Sequence, residues 1–190
     1  MIILDLLKFF SAFPDRDGVL DLFANGQSSL PGYRELQRFV HLLPAPLIPE
    51  IKYLVFGQSL EAVKSRVAKI GGTYMFVDFG EFSCQRDRQN NIKDTQRMAV
   101  TIAAKRGNAA DCVEEALLSD LTLRLANEVR ARMLTAPTQA TWLQYLADSH
   151  TIVPFESKEL TSLGWSIMFN IEASDWFDFK QLVLSFQKNE

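Results

Sequence analysis

Cysteine is scarce in this chain of 190 residues: Cys84 and Cys112 are the only two, and neither stands in a C-x-x-C pair. That rules out a disulfide framework and the paired-thiol motifs of zinc and redox sites, and it points to a reducing, cytoplasmic setting. Histidine is equally scarce. His41 and His150 stand alone, without a G-x-S-x-G elbow, an H-E-x-x-H pair or a Cys/His cluster, so they read as structural or solvated groups. Excess positive charge is missing too: 20 Lys and Arg stand against 23 Asp and Glu, a net charge of −3. A general nucleic-acid binder shows a strongly basic domain or stripe, so DNA contact is expected only locally.

Long apolar runs are also absent, and none approaches the roughly 20 residues a membrane span needs. The segment Ile2 to Phe10 is interrupted by Asp5 and Lys8 and has no basic region ahead of it, so it reads as an amphipathic helix with Ile2, Ile3, Leu6, Leu7 and Phe10 on one face. Neither secretion nor membrane insertion is expected. Gly71-Gly72 follows a helix and precedes a strand, the reverse of the order that aims a helix N-terminus at phosphate, so it reads as a C-cap. No cofactor, metal or small-molecule ligand is expected.

What remains is an ordinary globular composition, 47% hydrophobic and 23% charged, with one excess, 14 Phe. So many rings demand an aromatic-packed core or apolar faces that meet a partner subunit. Residues 1–50 read as short helices broken by Pro14, Gly18, Gly26 and Pro31-Gly32, with Tyr33 to Leu43 helical and the cluster Pro44, Pro46, Pro49 a connector. A strand is expected over 51–56. A helix carrying Leu60, Val63, Val67 and Ile70 follows.

Residues 74–105 hold the most informative pattern. Two apolar runs, 74–82 and 98–105, flank the wholly polar stretch 83–97, the outline of a β-hairpin with a long charged tip. A long amphipathic helix then runs from Ala109 or Asp111 to about Leu134, on the recurrence of Val113, Leu117, Leu121, Leu125, Val129 and Met133. Beyond Pro137 a shorter helix over 138–148 is expected, then a strand at 151–155. In the run 164–173 Trp165, Ile167, Phe169 and Ile171 alternate with Ser166, Met168, Asn170 and Glu172, which reads as a half-buried strand. A last helix carries Trp176, Phe179, Leu182, Val183 and Phe186, as core or as a docking face.

The enzymatic option is a metal-dependent nuclease, in which Asp78 and Glu81 hold Mg²⁺ and Lys105 positions water. Against it, Ala103 stands where a second carboxylate should precede the lysine, and Asp78 and Glu81 have opposite parity on a regular strand. No catalytic residue is therefore assigned. The contact surface is expected instead at Arg86, Arg88, Lys93 and Arg97 of the charged tip, whose guanidinium forks suit carboxylate or phosphate.

The order helix, strand, polar loop, strand, long helix, then the strand Gly164-Trp165-Ser166-Ile167-Met168-Phe169-Asn170-Ile171 resembles the tail terminator or tail completion proteins of long-tailed bacteriophages, over roughly residues 51 to 173. The resemblance is one of element order. It implies a non-catalytic subunit that forms a homo-oligomeric ring at the head–tail junction and meets other virion proteins, in the cytoplasm during assembly and in the virion afterwards. The alternative of another class is a monomeric adaptor that binds a protein through residues 83–97. The expected architecture is α+β: a mostly antiparallel sheet of about four strands in a body spanning 51–190, the long helix on one face, and a helical N-terminal elaboration over 1–50.

Overall fold

A computed structural model describes the chain except for residues 1, 24–26, 87, 89–90, 108–110, 136–140 and 175–190. The fold is α+β. Helices α1 (Ile2–Phe10), α2 (Arg16–Leu20) and α3 (Tyr33–His41) lead into strand β1 (Tyr53–Gly57), helix α4 (Leu60–Val67) and strands β2 (Thr73–Asp78), β3 (Phe82–Arg86) and β4 (Ile92–Lys105). Helix α5 (Cys112–Thr135) follows, and strands β5 (Thr151–Ser157) and β6 (Ser162–Ser174) complete the described elements.

The sheet has six strands, where about four were expected, and it is mixed. Its order is β1-β2-β4-β6-β5, with β3 also on β4; β1 runs parallel to β2 and every other pairing is antiparallel. Strand β6 pairs with β4 along its length, from Lys93↔Ser174 to Lys105↔Ser162. On the other side of β4, β2 takes the Ala99 to Ala104 half and β3 takes the Ile92 to Gln96 half.

The segment 83–97 is therefore not a loop. Most of it is ladder, and the connection between β3 and β4 shrinks to residues 87–91. Strand formation by so polar a run follows from its position. Strands β3 and β6 satisfy its backbone groups from both sides, and side chains alternate between exposed Lys93 and Arg97 and buried Asp94 and Gln96.

One face of the sheet meets α5 and the N-terminal helices in a single core. Met75, Val77, Met98, Val100, Ile102, Ile167, Phe169 and Ile171 of the sheet pack with Leu125, Ala126, Val129 and Met133 of α5 and with Leu6, Phe10, Phe13 and Val19. Part of the Phe excess is accounted for here. Phe9 and Phe10 meet the indole of Trp142, Phe9 edge-on at 5.2 Å, and Phe13 packs against both phenyl rings. Helix α2 lies so close to the start of β1 that a Cβ on Gly18 would stand 1.8 Å from the Lys52 carbonyl oxygen. The second face carries a smaller cluster, Val55, Val63, Val67, Tyr74 and Phe76, where α4 covers β1 and β2.

The long helix exists, capped by Asp111 Oδ1, which accepts from the backbone N–H groups of Val113 and Glu114. Its expected apolar face needs correction. Val113 and Leu117 are each 67% exposed, whereas Leu125, Val129 and Met133 are buried. At about 100° per residue a strict i+4 series drifts by about 40° per step, so Val113 and Met133 come to lie on opposite sides of the helix. The helix expected over 138–148 is a 3₁₀ segment, Thr141–Tyr145. The strand expected over 164–173 is β6, with Ile167, Phe169 and Ile171 buried and Met168 and Asn170 exposed, as the alternation requires. The expected C-terminal helix, 176–186, lies outside the described residues.

Between β2 and β3 the chain makes a bulge. Asp78 pairs with Ala99 and Phe82 with Gln96, so Phe79, Gly80 and Glu81 stand opposite Arg97 and Met98 alone. Gly80 has φ +56°, and a Cβ there would sit 1.8 Å from the Arg97 carbonyl oxygen. Gly72, at φ +77°, faces open space. Gly80→Ala should accordingly destabilise the fold by about 3 kcal/mol or more, against about 1 kcal/mol for Gly72→Ala. Urea denaturation of the two variants measures the difference, and equal costs would contradict the close approach at the bulge.

Candidate functional site

The bulge opens onto a trough of about 960 Å³ across the sheet. Its floor is one cross-strand row. Register aligns Asp78 of β2 with Ala99 of β4, Ala99 with Met168 of β6, and Met168 with Thr151 of β5. Because the row crosses four strands in one register, all four side chains leave the same face. One step along, Arg97 pairs with Asn170 on that same face. Gln58, Glu81 and Phe82 close one end, and Ser149 and His150 the other.

Asp78 and Glu81 line the trough together, which regular strand parity forbids. The extra residue at Gly80 shifts the alternation by one and brings the second carboxylate to the side of the first. Asp78 Oδ1 accepts from the Gly80 N–H at 2.8 Å, an Asx turn that holds the bulge. Burial pushes the Asp78 carboxyl above its ordinary pKa, and the Gly80 N–H offsets this only in part. Glu81 pairs with Arg97 at 3.3 Å, both side chains well exposed, a contact worth little to stability.

Lys105 is not part of this group. It lies six positions along β4 from Ala99, the partner of Asp78, a separation of about 20 Å at ~3.3 Å per residue. Its ammonium donates to the Leu160 carbonyl at 2.7 Å, and burial lowers its pKa. The Asp78, Glu81 and Lys105 constellation is thus split, with two carboxylates at the trough and the lysine at the far end of the strand. Among the described residues no three His, Cys, Asp or Glu side chains gather as metal ligands.

His150 lines the end of the trough, and its ring turns to the α5 side of the sheet. Its ring stacks on Phe169 at 5.3 Å between centroids, and its Nε2 accepts from Arg130 Nε of α5. That acceptance assigns the proton to Nδ1, which is buried and has no hydrogen-bond partner among the described residues. Burial, and then the Arg130 charge, hold the imidazole below its ordinary pKa of 6.5. With its lone pair committed to Arg130, His150 is not available as a base through Nε2. Residues 130 and 150 are far apart in sequence and meet only through tertiary packing, so no local pattern signals the pair.

Of the expected contact residues, Arg86 ends β3, Arg88 is exposed in the turn beyond it, and Lys93 and Arg97 lie on β4. Lys93 pairs with Glu172 of β6 at 2.7 Å and Arg97 with Glu81, so these two bind their own chain. The trough offers hydrogen-bonding groups and one desolvated carboxyl. No protein-family model matches this chain, and no curated protein matches it.

Asp78 and His150 give signed pH effects. The Asp78 pKa is raised on folding, so its ionisation opposes the native state as pH rises above the ordinary carboxylate value. Asp78→Asn keeps the acceptor for Gly80 and removes the buried charge. The variant should melt higher than the parent at neutral pH, with the gap closing on acidification. The His150 pKa is lowered on folding, so its contribution is complete above about 6.5 and fades as pH falls below that value. Calorimetry from pH 5 to 8 should show this slope in the parent and lose it in His150→Gln; an unchanged slope would assign the dependence to other groups.

Proposed function

We propose that this chain is a non-catalytic assembly subunit of tail-terminator type, closing with copies of itself into a ring and meeting other virion proteins at the end of a tail tube. The observation that carries the reading is an arm built of strands. Beyond the half of β4 that pairs with β2, its remainder continues with β3 on one side and β6 on the other, bearing Arg86 and Arg88 at its distal end. A ladder-held arm keeps charged groups at a set distance from the body, which a contact repeated around a ring requires and a mobile loop does not supply. Among the described strands β3 pairs with β4 alone.

The other sheet edges are guarded. Helix α2 packs against the start of β1, and β5 carries Pro154, which has no N–H to offer an incoming strand. The resemblance rests on helix, strand, polar loop, strand, long helix and late strand; along residues 53–174 β3 and the first part of β4 take the place of that loop. The trough lies beside the root of the arm and supplies a second polar surface to a neighbour or a tube subunit.

Light scattering coupled to size exclusion, with negative-stain electron microscopy, tests the reading. Rings are expected, with or without a tail-tube protein present, and Arg86→Glu combined with Arg88→Glu should abolish them while leaving the circular dichroism unchanged. A protein that forms no ring under any of these conditions would overturn it.

A further inference from the structure

Just ahead of β5 the chain swings away from β6. Leu146 bridges to Ile171 and the Ala147 N–H donates to the Asn170 carbonyl at 2.8 Å, and the ladder resumes at Thr151↔Met168. Residues 148–150 therefore stand opposite Phe169 alone, two more than the ladder has room for, and they loop out at the end of the trough that Ser149, His150 and Thr151 line. Asp148 and Ser149 are exposed, and among the described residues neither side chain makes a hydrogen bond or an ion pair. The half-buried His150 is the side chain that ties the loop down. Its ring lies on buried Phe169 and its Nε2 accepts from Arg130 of α5, so the loop is fastened from the face of the sheet opposite the trough.

From this arrangement we infer that the Arg130–His150 contact is a proton-released pin: protonation of His150 frees residues 148–150 and with them the end wall of the trough. The chemistry follows from what each group can offer. Arg130 Nε–H only donates, and neutral His150 accepts through Nε2, but an imidazolium carries a proton on both nitrogens and has no lone pair left to accept with. Protonation turns the hydrogen bond into two donors facing each other and sets two like charges side by side. It also leaves a cation whose Nδ1–H is buried with no partner among the described residues, which release into water relieves.

No neighbouring charge offsets this. One turn from Arg130 on its own face of α5 stand Ala126, Asn127, Met133 and Leu134, all uncharged. Strand β6 presents Phe169 and Asn170, and the loop's own Asp148 is exposed. Arg130 is the one charge that acts on the imidazole among the described residues. Burial first, and then that charge, hold His150 below its ordinary pKa of 6.5, so the pinned loop binds its proton less readily than the released loop. The pin is complete above about 6.5, and below it the ratio of released to pinned chains rises by up to about tenfold per pH unit. Asp78 and Glu81 titrate at the far end of the same trough, so a control must remove the imidazole and leave both carboxyls. The pin uses one chain and not the arm, and it stands or falls separately from ring formation.

Hydrogen exchange of the full chain at pH 7.5, 6.5 and 5.5, read by mass spectrometry and corrected for the intrinsic rate at each pH, tests the pin. Peptides spanning 146–152 should lose protection about tenfold between the extremes, while peptides from 98–105 of β4 keep theirs. His150→Gln, which takes up no proton, should show one level of protection at all three pH values. Arg130→Met, which removes the donor and keeps a helix-forming side chain, should expose 146–152 already at pH 7.5. Protection of 146–152 that stays constant in the parent, or a loss shared equally by β4, overturns the pin. So does a pH dependence that survives in His150→Gln, which would belong to the carboxyls, or an Arg130→Met loop as protected as the parent's at pH 7.5.

Discussion

The antiparallel pairing of β4 with β6 is the constraint from which the rest of the structure hangs. It runs from Lys93↔Ser174 to Lys105↔Ser162, and each other part of the sheet is attached to one of these two strands, directly or through β2. The core half of the ribbon carries Val100, Ile102 and Ile167 toward α5, and α5 in turn anchors itself through the Trp165 indole, which donates to the Ser119 carbonyl and hydroxyl oxygens at 3.1 Å. The polar half continues the same ladder with few apolar side chains. Its strand character is borrowed from the cooperativity of the pairing and not from its composition.

That division explains how one sheet serves two ends. Where β2 and β5 flank the ribbon, both faces have work in packing, and α4 covers the far side of β1 and β2. Where they stop, the ribbon continues with Lys93 and Arg97 exposed on one face and Asp94, Gln96 and Ile171 buried on the other. The single extra residue at Gly80 marks the change, because it ends the pairing of β2, re-aims the chain into β3 and turns Glu81 toward Asp78. Trough and arm are two products of one bulge.

The legible parts of this fold were those in which side-chain pattern and backbone state agree over a local window. Leu60, Val63 and Val67 specify α4, and Trp165 through Ile171 specify β6 with its buried face. The polar strand 92–97 was not legible, since its neighbours in the sheet lie as far away as Ser174 and its own composition reads as a loop. Helix α5 was legible as a helix but not in its orientation, because i+4 spacing winds around the cylinder and only the drift separates inner from outer residues. The trough depends on register among four strands, and the His150–Arg130 pair on a tertiary contact; neither leaves a trace in local spacing.

The sheet's place in the order of synthesis has its own consequence. Strand β6 lies inside the sheet, yet it is the last of the described strands to be made. Until it emerges, the long β4 has no partner on one side, and the apolar row Met98, Val100 and Ile102 waits through the synthesis of α5 and β5. A nascent chain at this stage exposes an unpaired central edge for several seconds at ordinary elongation rates. Its hazard is pairing with the same edge of another nascent chain on a neighbouring ribosome. The charged stretch 93–97 at one end of that edge then serves the unfinished protein as well as the finished one, by keeping the exposed ladder soluble until its proper neighbour arrives.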